Sequence, residues 1–565
     1  MPSGMQAPAI IWVAAFFVAP ALLLPVSGLN KYAMIRAFFP SRLEGTLWND
    51  RMVFLIMSAG AVGLVSVVLW ETLFPARRDA FVLTPLPVSL SVQMLGRLGG
   101  LMTLCLVFVV ALNAIPTAVF PLVSLGSFTQ MPRAMAAHFI ATAGADVFVF
   151  FSVTSLQGLV ILGLGRRRAS RLASLAQAGT VIVLLLSLLF VGGIQSFTTA
   201  AFLRADPADP ILRFVPSAWF LGLYEYIAGT QRPVMAGLAA RGIAAAVIPL
   251  GVTIAIYAFG YKRLLARAVE TPSRSTRSIF TTAGSWVIRT FVIRRPEEQA
   301  ISAFLLRGIS RSGRHSMLMS IYVGAAVALM ITFVLPDILR TGAQTFASPS
   351  VVALALPLVL SVGLATGVRI LITIPAEMAA RWVFQTTSIE PRRVDAAVHK
   401  TMLLIVVGPT TAAAALTAGM LWGWMMAIQH AAYCGALSLV LCELMLIRYR
   451  GIPLTRPYVP GAARFHLLWA AYISAFFTYT FSSAELERQL LAEFGAEGVL
   501  NAAGIFGAMA FALWLRRKFK VRSWDDVPFE AEMPEDQMFQ GFNLSEIHAA
   551  QAIAARGKAQ PAKPA

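Results

Sequence analysis

Ionisable side chains inside long apolar runs are the first candidates for chemistry, because a charge in hydrocarbon needs a partner or water. Three are clearest: Asp146, Arg369 and Glu443. Such groups could line a polar path or couple two parts of the protein. The sequence favours a simpler interpretation. In it, Asp146 and Arg369 lie near span ends and reach the head groups, and Glu443 ends its span close to Arg448 and Arg450.

Motifs for phosphate and metal chemistry are absent from the sequence. No G-x-x-x-x-G-K-[ST] occurs, so any ATP must be hydrolysed by another chain. The six histidines are scattered singly, without H-E-x-x-H spacing, and no nucleophile or paired-carboxylate constellation is present. The three cysteines show no C-x-x-C spacing, and we interpret them as small buried hydrophobic residues. We therefore expect no enzyme activity, no cofactor and no metal site.

A polar insert after the second long apolar run holds a charged cluster, Arg77, Arg78 and Asp79. Aromatic residues and prolines flank this cluster: Trp70, Phe74, Phe81, Pro85 and Pro87. Proline lacks an amide hydrogen, so the two prolines end any helix here. The charges could orient an acidic partner while the rings supply contact area, which predicts a docking element. The alternative is a plain basic membrane anchor.

A second insert, residues 375–400, again joins one apolar run to the next. It holds Glu377, Trp382 and Phe384. Its position alone suggests a second docking element, one for each half of the protein.

An aromatic segment, residues 216–229, lies between the fifth and sixth apolar runs. It contains Pro216, Trp219, Phe220 and Tyr224. Aromatic rings favour the head-group layer, so the segment could be an interfacial helix or a re-entrant hairpin that gates the path externally. An ordinary aromatic belt fits equally well.

Composition identifies the elements that must position these groups. The chain has 565 residues, of which 58% are hydrophobic and 13% charged, and its mean hydropathy is +0.72. Its apolar runs repeatedly reach the roughly 20 residues that a helix needs to cross a bilayer, which predicts an all-α polytopic membrane protein with about 12 transmembrane helices. We place them near residues 8–27, 51–70, 98–120, 138–163, 178–196, 236–260, 317–336, 351–374, 402–422, 425–447, 465–482 and 499–515.

The net charge of +19 indicates topology rather than a nucleic-acid partner, because the basic residues cluster in short loops between spans. These loops predict a cytoplasmic side that also contacts anionic lipids. Residues 71–97, 261–316 and 375–400 fall on that side, and we expect a bacterial inner membrane. The loop between the first and second predicted spans disagrees with this topology. The count of spans places it outside, although it carries Lys31, Arg36 and Arg42. The first span could therefore be an interfacial helix instead.

Hydropathy and loop placement repeat weakly along the chain, as is common in transporters. The prediction is a six-span half over residues 1–260, a basic linker over 261–316 and a second half over 317–520. Residues 521–565 form an acidic and then Ala-, Lys- and Pro-rich tail, whose end we expect to be disordered.

Four motifs resemble type-2 ATP-binding-cassette (ABC) exporter permeases, here with two permease units fused. They are W-x-x-L-F-P-x-R-R-D-x-x-V-L-x-P-L-P-V from Trp70 to Val88, P-S-x-W-F-x-G-L-Y from Pro216 to Tyr224, G-x-R-x-x-x-x-x-P-x-E from Gly367 to Glu377, and I-P-L-T-R-P-Y-x-P-G from Ile452 to Gly461. The resemblance implies a coupling helix in the first insert that fits a groove of a separate, dimeric ABC ATPase. It also implies an exporter of an amphipathic or lipid-like substrate. Fusion implies two inequivalent halves.

Two other classes remain open from the sequence. A twelve-span secondary transporter fits the basic central loop, but no G-x-x-x-D-R-x-G-R follows the second span, and the insert exceeds that fold's tight turn. A membrane-embedded scaffold or enzyme is the third possibility, although no catalytic constellation supports the enzyme version.

Overall fold

The computed structural model describes residues 31–70, 73–75, 77–83, 85–124, 128–204, 206, 209–230, 232–269, 293–375, 381–387, 389–447, 449, 451–455 and 465–522. These residues are almost entirely helical and contain no strand. Nine of their helices are long and apolar enough to cross a membrane, or ten if one sharply bent pair is a single span. The protein is therefore an all-α, multi-pass membrane protein, as predicted. The predicted first span and the tail beyond residue 522 lie outside the described residues.

Eight labelled helices build the first half, and a short helix over residues 31–38 precedes them. They are α1 (Leu43–Val68), α2 (Arg77–Leu83), α3 (Leu90–Ser124), α4 (Met131–Leu189), α5 (Val191–Arg204), α6 (Pro210–Phe214), α7 (Pro216–Ala228) and α8 (Pro233–Val269). Proline opens α6, α7 and α8, where its missing amide hydrogen costs no helical bond.

Eight more helices build the second half. They are α9 (Pro296–Arg311), α10 (Gly313–Thr341), α11 (Val351–Leu371), α12 (Arg381–Thr386), α13 (Pro391–Trp422), α14 (Trp424–Leu446), α15 (Phe465–Phe477) and α16 (Ser483–Arg522). One π-helical turn, Thr478–Ser482, joins α15 to α16. Helix α9 lies within the predicted basic linker and packs on α13 and α10.

Helix α4 reverses direction within its length. A methyl group at Gly63 would come within 2.6 Å of Leu184 and 2.7 Å of Val149, so both side chains lie against the same point of α1. In a straight helix these two residues would be about 50 Å apart, at 1.5 Å per residue. The chain must therefore fold back between them. Its two limbs correspond to the predicted fourth and fifth spans, and the chain bends again by 72° where α5 begins.

Helix α16 also folds back on itself. The hydroxyl of Tyr433 donates to the carbonyl of Ser483, and the Tyr433 ring lies 5.7 Å from the Phe506 ring. These two partners would be about 35 Å apart in a straight helix. The reversal occurs at Gly495, whose φ of 59° is a left-handed conformation that favours glycine. The predicted last two spans thus form a hairpin.

The two halves meet where α10 packs against the second limb of α4. Gly324 of α10 lies against the carbonyl of Ala178 and the side chain of Val181. The absence of a side chain at Gly324 lets the two backbones approach closely. Helices from both halves therefore share one packed interface.

The basic residues that disagree with the predicted topology have partners. Lys31 pairs with Asp50 of α1 at 2.7 Å, and the Tyr32 hydroxyl donates to the same carboxylate. Arg36 donates to the carbonyl of Ser124 at the end of α3. These contacts hold the segment that contains Lys31 and Arg36 against α1 and the end of α3.

Candidate functional site: two inserts and the buried polar groups behind them

The first insert folds into the short helix α2, which presents an apolar surface outward. Ala80 is buried, whereas Phe81 and Val82 are 57% and 54% exposed. Asp79 lies 3.7 Å from Arg97 on α3, so this charge holds the helix to the bundle. The segment from Pro85 onward is exposed and leads into α3. Arg77 and Arg78 lie in α2, but their side chains are outside the described residues.

The backbone carbonyls where α1 leads into this insert accept hydrogen bonds from side chains of three helices. Four donors reach them: Gln177 to Val67, Gln157 to Trp70, Tyr257 to Leu73 and Arg97 to Phe74. The last carbonyls of a helix have no intrahelical partner, so these hydrogen bonds satisfy carbonyls at and just beyond the end of α1. Both glutamines come from α4, one from each limb. The insert is thus fixed to α3, α4 and α8.

The flanking aromatic residues face inward. Trp70 and Phe74 are 5% and 4% exposed, and the Phe74 ring stacks on Tyr257 with the ring centres 5.4 Å apart. These two rings stabilise the base of the insert and offer no area to a partner. Of the aromatic residues predicted to dock, Phe81 provides the accessible surface.

The second insert also folds into a short helix, α12. Phe384 is buried, with its ring 5.8 Å from that of Phe304 on α9, while Val383 is 39% exposed. Glu377 and the side chain of Trp382 are outside the described residues. Backbone carbonyls at the start of this insert also accept hydrogen bonds. His315 Nε2 lies 3.1 Å from the carbonyl of Ile374, and the Leu454 amide donates to Ile372.

Both inserts lie at the same end of the bundle. Ile321 of α10 packs with Val67 and Trp70, where the chain leaves α1. Six residues earlier, about 9 Å along the helix, His315 contacts Ile374 at the start of the second insert. The two short helices therefore lie on the same side of the bundle.

Asp146 lies deep in the first limb of α4 and is completely buried. The interpretation that it lies near a span end and reaches the head groups is wrong. Ser58 of α1 donates to its Oδ2 at 2.9 Å, and the Asn113 amide of α3 donates to the same oxygen at 2.6 Å. No described residue donates to Oδ1. This carboxyl joins three helices through neutral donors alone.

Glu443 is also buried but has charged partners. Arg517 of α16 donates to it at 2.9 Å, and His399 of α13 lies 2.6 Å away. Arg517 also pairs with Asp395. Arg448 and Arg450, the partners expected from the sequence, lie outside the described residues. The network joins the end of α16 to α13 and α14.

Arg369 lies near the end of α11, as the sequence interpretation expected. Its Nε donates to the Met445 carbonyl at 2.9 Å, and its guanidinium lies 5.3 Å from the centre of the Tyr449 ring. These contacts join α11 to the end of α14. The charge therefore has a structural role at this helix end.

The predicted external gate forms helix α7, which is part of the first-half core. Phe220 and Tyr224 are buried, Trp219 is half-buried, and Pro216 opens the helix. Phe220 lies against Gly144 in the first limb of α4, and the Ile227 carbonyl accepts a bond from Arg133 near the start of that limb.

Helix α7 thus runs antiparallel to the first limb of α4 and packs beside its apolar part. It also carries a buried ion pair that sequence reasoning missed. Arg51 of α1 pairs with Glu225, and its guanidinium lies 4.4 Å from the centre of the Tyr224 ring. Burial of both charges is tolerated because each partner compensates the other. Glu225, the one acidic residue of the aromatic segment 216–229, was the available signal.

Comparison with family models, with curated proteins and with solved structures found no match to this chain. The likeness to ABC permeases therefore rests on the sequence motifs and on the placement of the inserts.

Proposed function

We propose that this protein is the permease subunit of an ATP-driven exporter in the bacterial inner membrane, and that a separate dimeric ATPase binds its two inserts on the cytoplasmic side. One observation carries the proposal. Each insert folds into a short helix with an exposed apolar residue, and both lie at the same end of the bundle. Paired short helices of this kind suit docking by one partner with two similar grooves.

The bonded carbonyls behind the first insert support a mechanical role. A force on α2 is transmitted to the bundle because Gln157, Gln177 and Tyr257 hold the preceding backbone to α4 and α8. Movement of α2 would then move those helices with it. Closure of an ATPase dimer would rock the two halves and carry an amphipathic substrate outward.

The test is retention of an ATPase during affinity purification from native membranes. We expect wild type to retain ATP hydrolysis and the variant Arg77→Ala/Arg78→Ala/Asp79→Ala to lose most of it. Phe81→Ser should weaken retention at least tenfold, because an exposed aromatic anchor contributes about 2 kcal/mol or more to an interface.

The matched control changes the same residue types at the opposite end of the bundle. Arg213 and Phe214 of α6 are both exposed, Phe214 at 70%. Arg213→Ala and Phe214→Ser should retain the ATPase at the wild-type level. A chain that purifies without any ATPase, or whose ATPase is lost equally from both sets of variants, contradicts the proposal.

Asp146 favours a second candidate, an ion-coupled secondary transporter. A buried acid with neutral partners and one oxygen without a described donor is typical of proton- or cation-carrying groups in membranes. Vesicles that hold the purified chain distinguish the two candidates. Transport driven by a pH gradient without ATP, and lost in Asp146→Asn, supports the second candidate and contradicts the first.

A further inference from the structure

Three side chains with metal-binding atoms meet between α14 and α16, at the end of the bundle opposite the inserts. His430 and Cys434 are four residues apart on α14 and thus lie on one helical face. Glu487 reaches them from the first limb of α16. Each of the three is 0% exposed. Their ligand atoms lie within 4.8 Å of one another, and no other such group of three or more was found among the described residues.

The three groups are close enough to share an ion after a side-chain rearrangement. His430 Nδ1 lies 2.8 and 3.1 Å from the two oxygens of Glu487, and Cys434 Sγ lies 3.7 Å from the same nitrogen and 3.8 Å from Nε2. With the usual zinc–ligand bond lengths, a tetrahedron needs about 3.4 Å between nitrogen and oxygen and about 3.5 Å between nitrogen and sulfur. The Cys434 side chain would therefore have to rotate toward Nδ1 and Glu487 to complete the site, since its sulfur lies at nearly equal distances from both ring nitrogens.

The donor set indicates which metal would bind. A thiolate with an imidazole favours zinc or copper(I), whereas magnesium and calcium require oxygen ligands. Zn²⁺ with one thiolate, one carboxylate and a neutral imidazole has no net charge, which suits an apolar surrounding. Leu358, Leu437 and Val499 supply that surrounding. With copper(I) the same ligands would leave a buried negative charge, which is costly.

A simple pair of His430 and Glu487 accounts for only two of the three groups. In that pair the Cys434 thiol acts only as a small core residue beside the imidazole. A zinc ion would use all three groups and would need a fourth ligand, such as a water molecule, to complete a tetrahedron. The motif search missed this site because its ligands come from two helices, 57 residues apart between His430 and Glu487.

We propose that His430, Cys434 and Glu487 form a zinc site that fastens α16 to α14. The site does not depend on the proposed transport function, because it lies away from both inserts. Zinc would hold the first limb of α16 against the neighbouring span, so its removal would loosen this end of the second half.

The first test uses the full chain, purified in detergent with a histidine-free affinity tag, stripped with a chelator and then given ZnCl₂. Elemental analysis should find about one zinc ion per chain after desalting, together with a higher unfolding temperature. Cys434→Ser, His430→Gln and Glu487→Gln should each retain less than about a tenth of that zinc. Cys442→Ser is the matched control, since Cys442 is also buried on α14, and it should retain zinc at the wild-type level.

Cobalt substitution of wild type provides a test that needs no variant. Co²⁺ bound to a thiolate absorbs in the near ultraviolet, and tetrahedral Co²⁺ absorbs strongly in the visible range. Both features should appear, and Zn²⁺ should displace them. Their absence, or equal zinc retention by Cys434→Ser and Cys442→Ser, overturns the proposal.

Discussion

Asp146 and Glu443 lie in the spans predicted as the fourth and the tenth, and they have different partners. Asp146 accepts hydrogen bonds from Ser58 and Asn113, which carry no charge. Glu443 accepts from Arg517 and lies beside His399. Glu443 is therefore compensated by an arginine, as Glu225 is by Arg51, whereas Asp146 lies among neutral donors.

This difference suggests that the contacts of Asp146 can change more easily than those of Glu443. Removing one partner from a buried ionic network leaves an uncompensated charge, so the second-half network favours one arrangement of helices. A carboxyl bonded only to neutral donors can change its protonation or its ligand without breaking an ion pair. The surroundings of Asp146 are therefore the better candidate for a changing polar contact, and the Glu443 network for a fixed support.

The largest expected effect comes from Arg517→Met. This change leaves Glu443 without its arginine and Asp395 without its partner, both in poorly exposed positions. We expect a loss of about 3–5 kcal/mol in the free energy of unfolding, the usual cost of breaking a buried ionic network. Titration with SDS, followed by tryptophan fluorescence, measures this free energy.

Arg516→Met is the matched control, because Arg516 is exposed on the same turn of α16. A change of less than about 0.5 kcal/mol is expected there, as for most surface substitutions. Equal effects of the two substitutions would mean that the network contributes little and that Glu443 and Asp146 do not differ in the way described.

A matched pair of amide substitutions compares the two acids directly. Asp146→Asn keeps an oxygen that can accept from Ser58 and Asn113, and it breaks no ion pair. We expect it to cost less than about 1 kcal/mol. Glu443→Gln weakens two charge-assisted contacts, and we expect a cost of about 2 kcal/mol or more. The same SDS titration measures both, and a larger cost for Asp146→Asn would reverse the comparison.

Much of the fold could be predicted from the sequence because crossing a bilayer imposes length and polarity rules on each span. Every span predicted between residues 51 and 515 overlaps a helix of the structure. The first insert was found because Pro85 and Pro87 interrupt the helical pattern. The position of the second reversal, Gly495, was not predicted, since glycine is common within spans and its φ is decided by packing.

The partners of the buried groups could not be predicted, because they depend on which helices become neighbours. Asp146 bonds to Ser58, which is 88 residues away in sequence. Glu443 bonds to Arg517, 74 residues away, although two arginines follow it closely in the chain. Residue type was also misleading for Trp70 and Phe74. Their aromatic character suggested docking, but α3, α4 and α8 bury Phe74 and the adjoining backbone.

The smallest expected effect concerns Asp209, which lies outside the spans. Its partner Arg204 is exposed, so we expect this ion pair to contribute less stability than the buried Arg517 network. The hydrogen bond from Arg204 holds the pKa of Asp209 below its ordinary value of 3.8. The carboxylate also accepts from the Ile211 amide at the start of α6. Because the folded form has the lower pKa, protonation favours unfolding. The stabilisation is thus complete above pH 3.8 and is lost as pH falls through the folded pKa.

Asp209→Asn keeps the cap but removes the charge, so wild type should be more stable than this variant by less than about 1 kcal/mol at neutral pH. The difference in unfolding temperature should disappear in acid. A difference that persists there would assign the effect to the cap rather than to the charge.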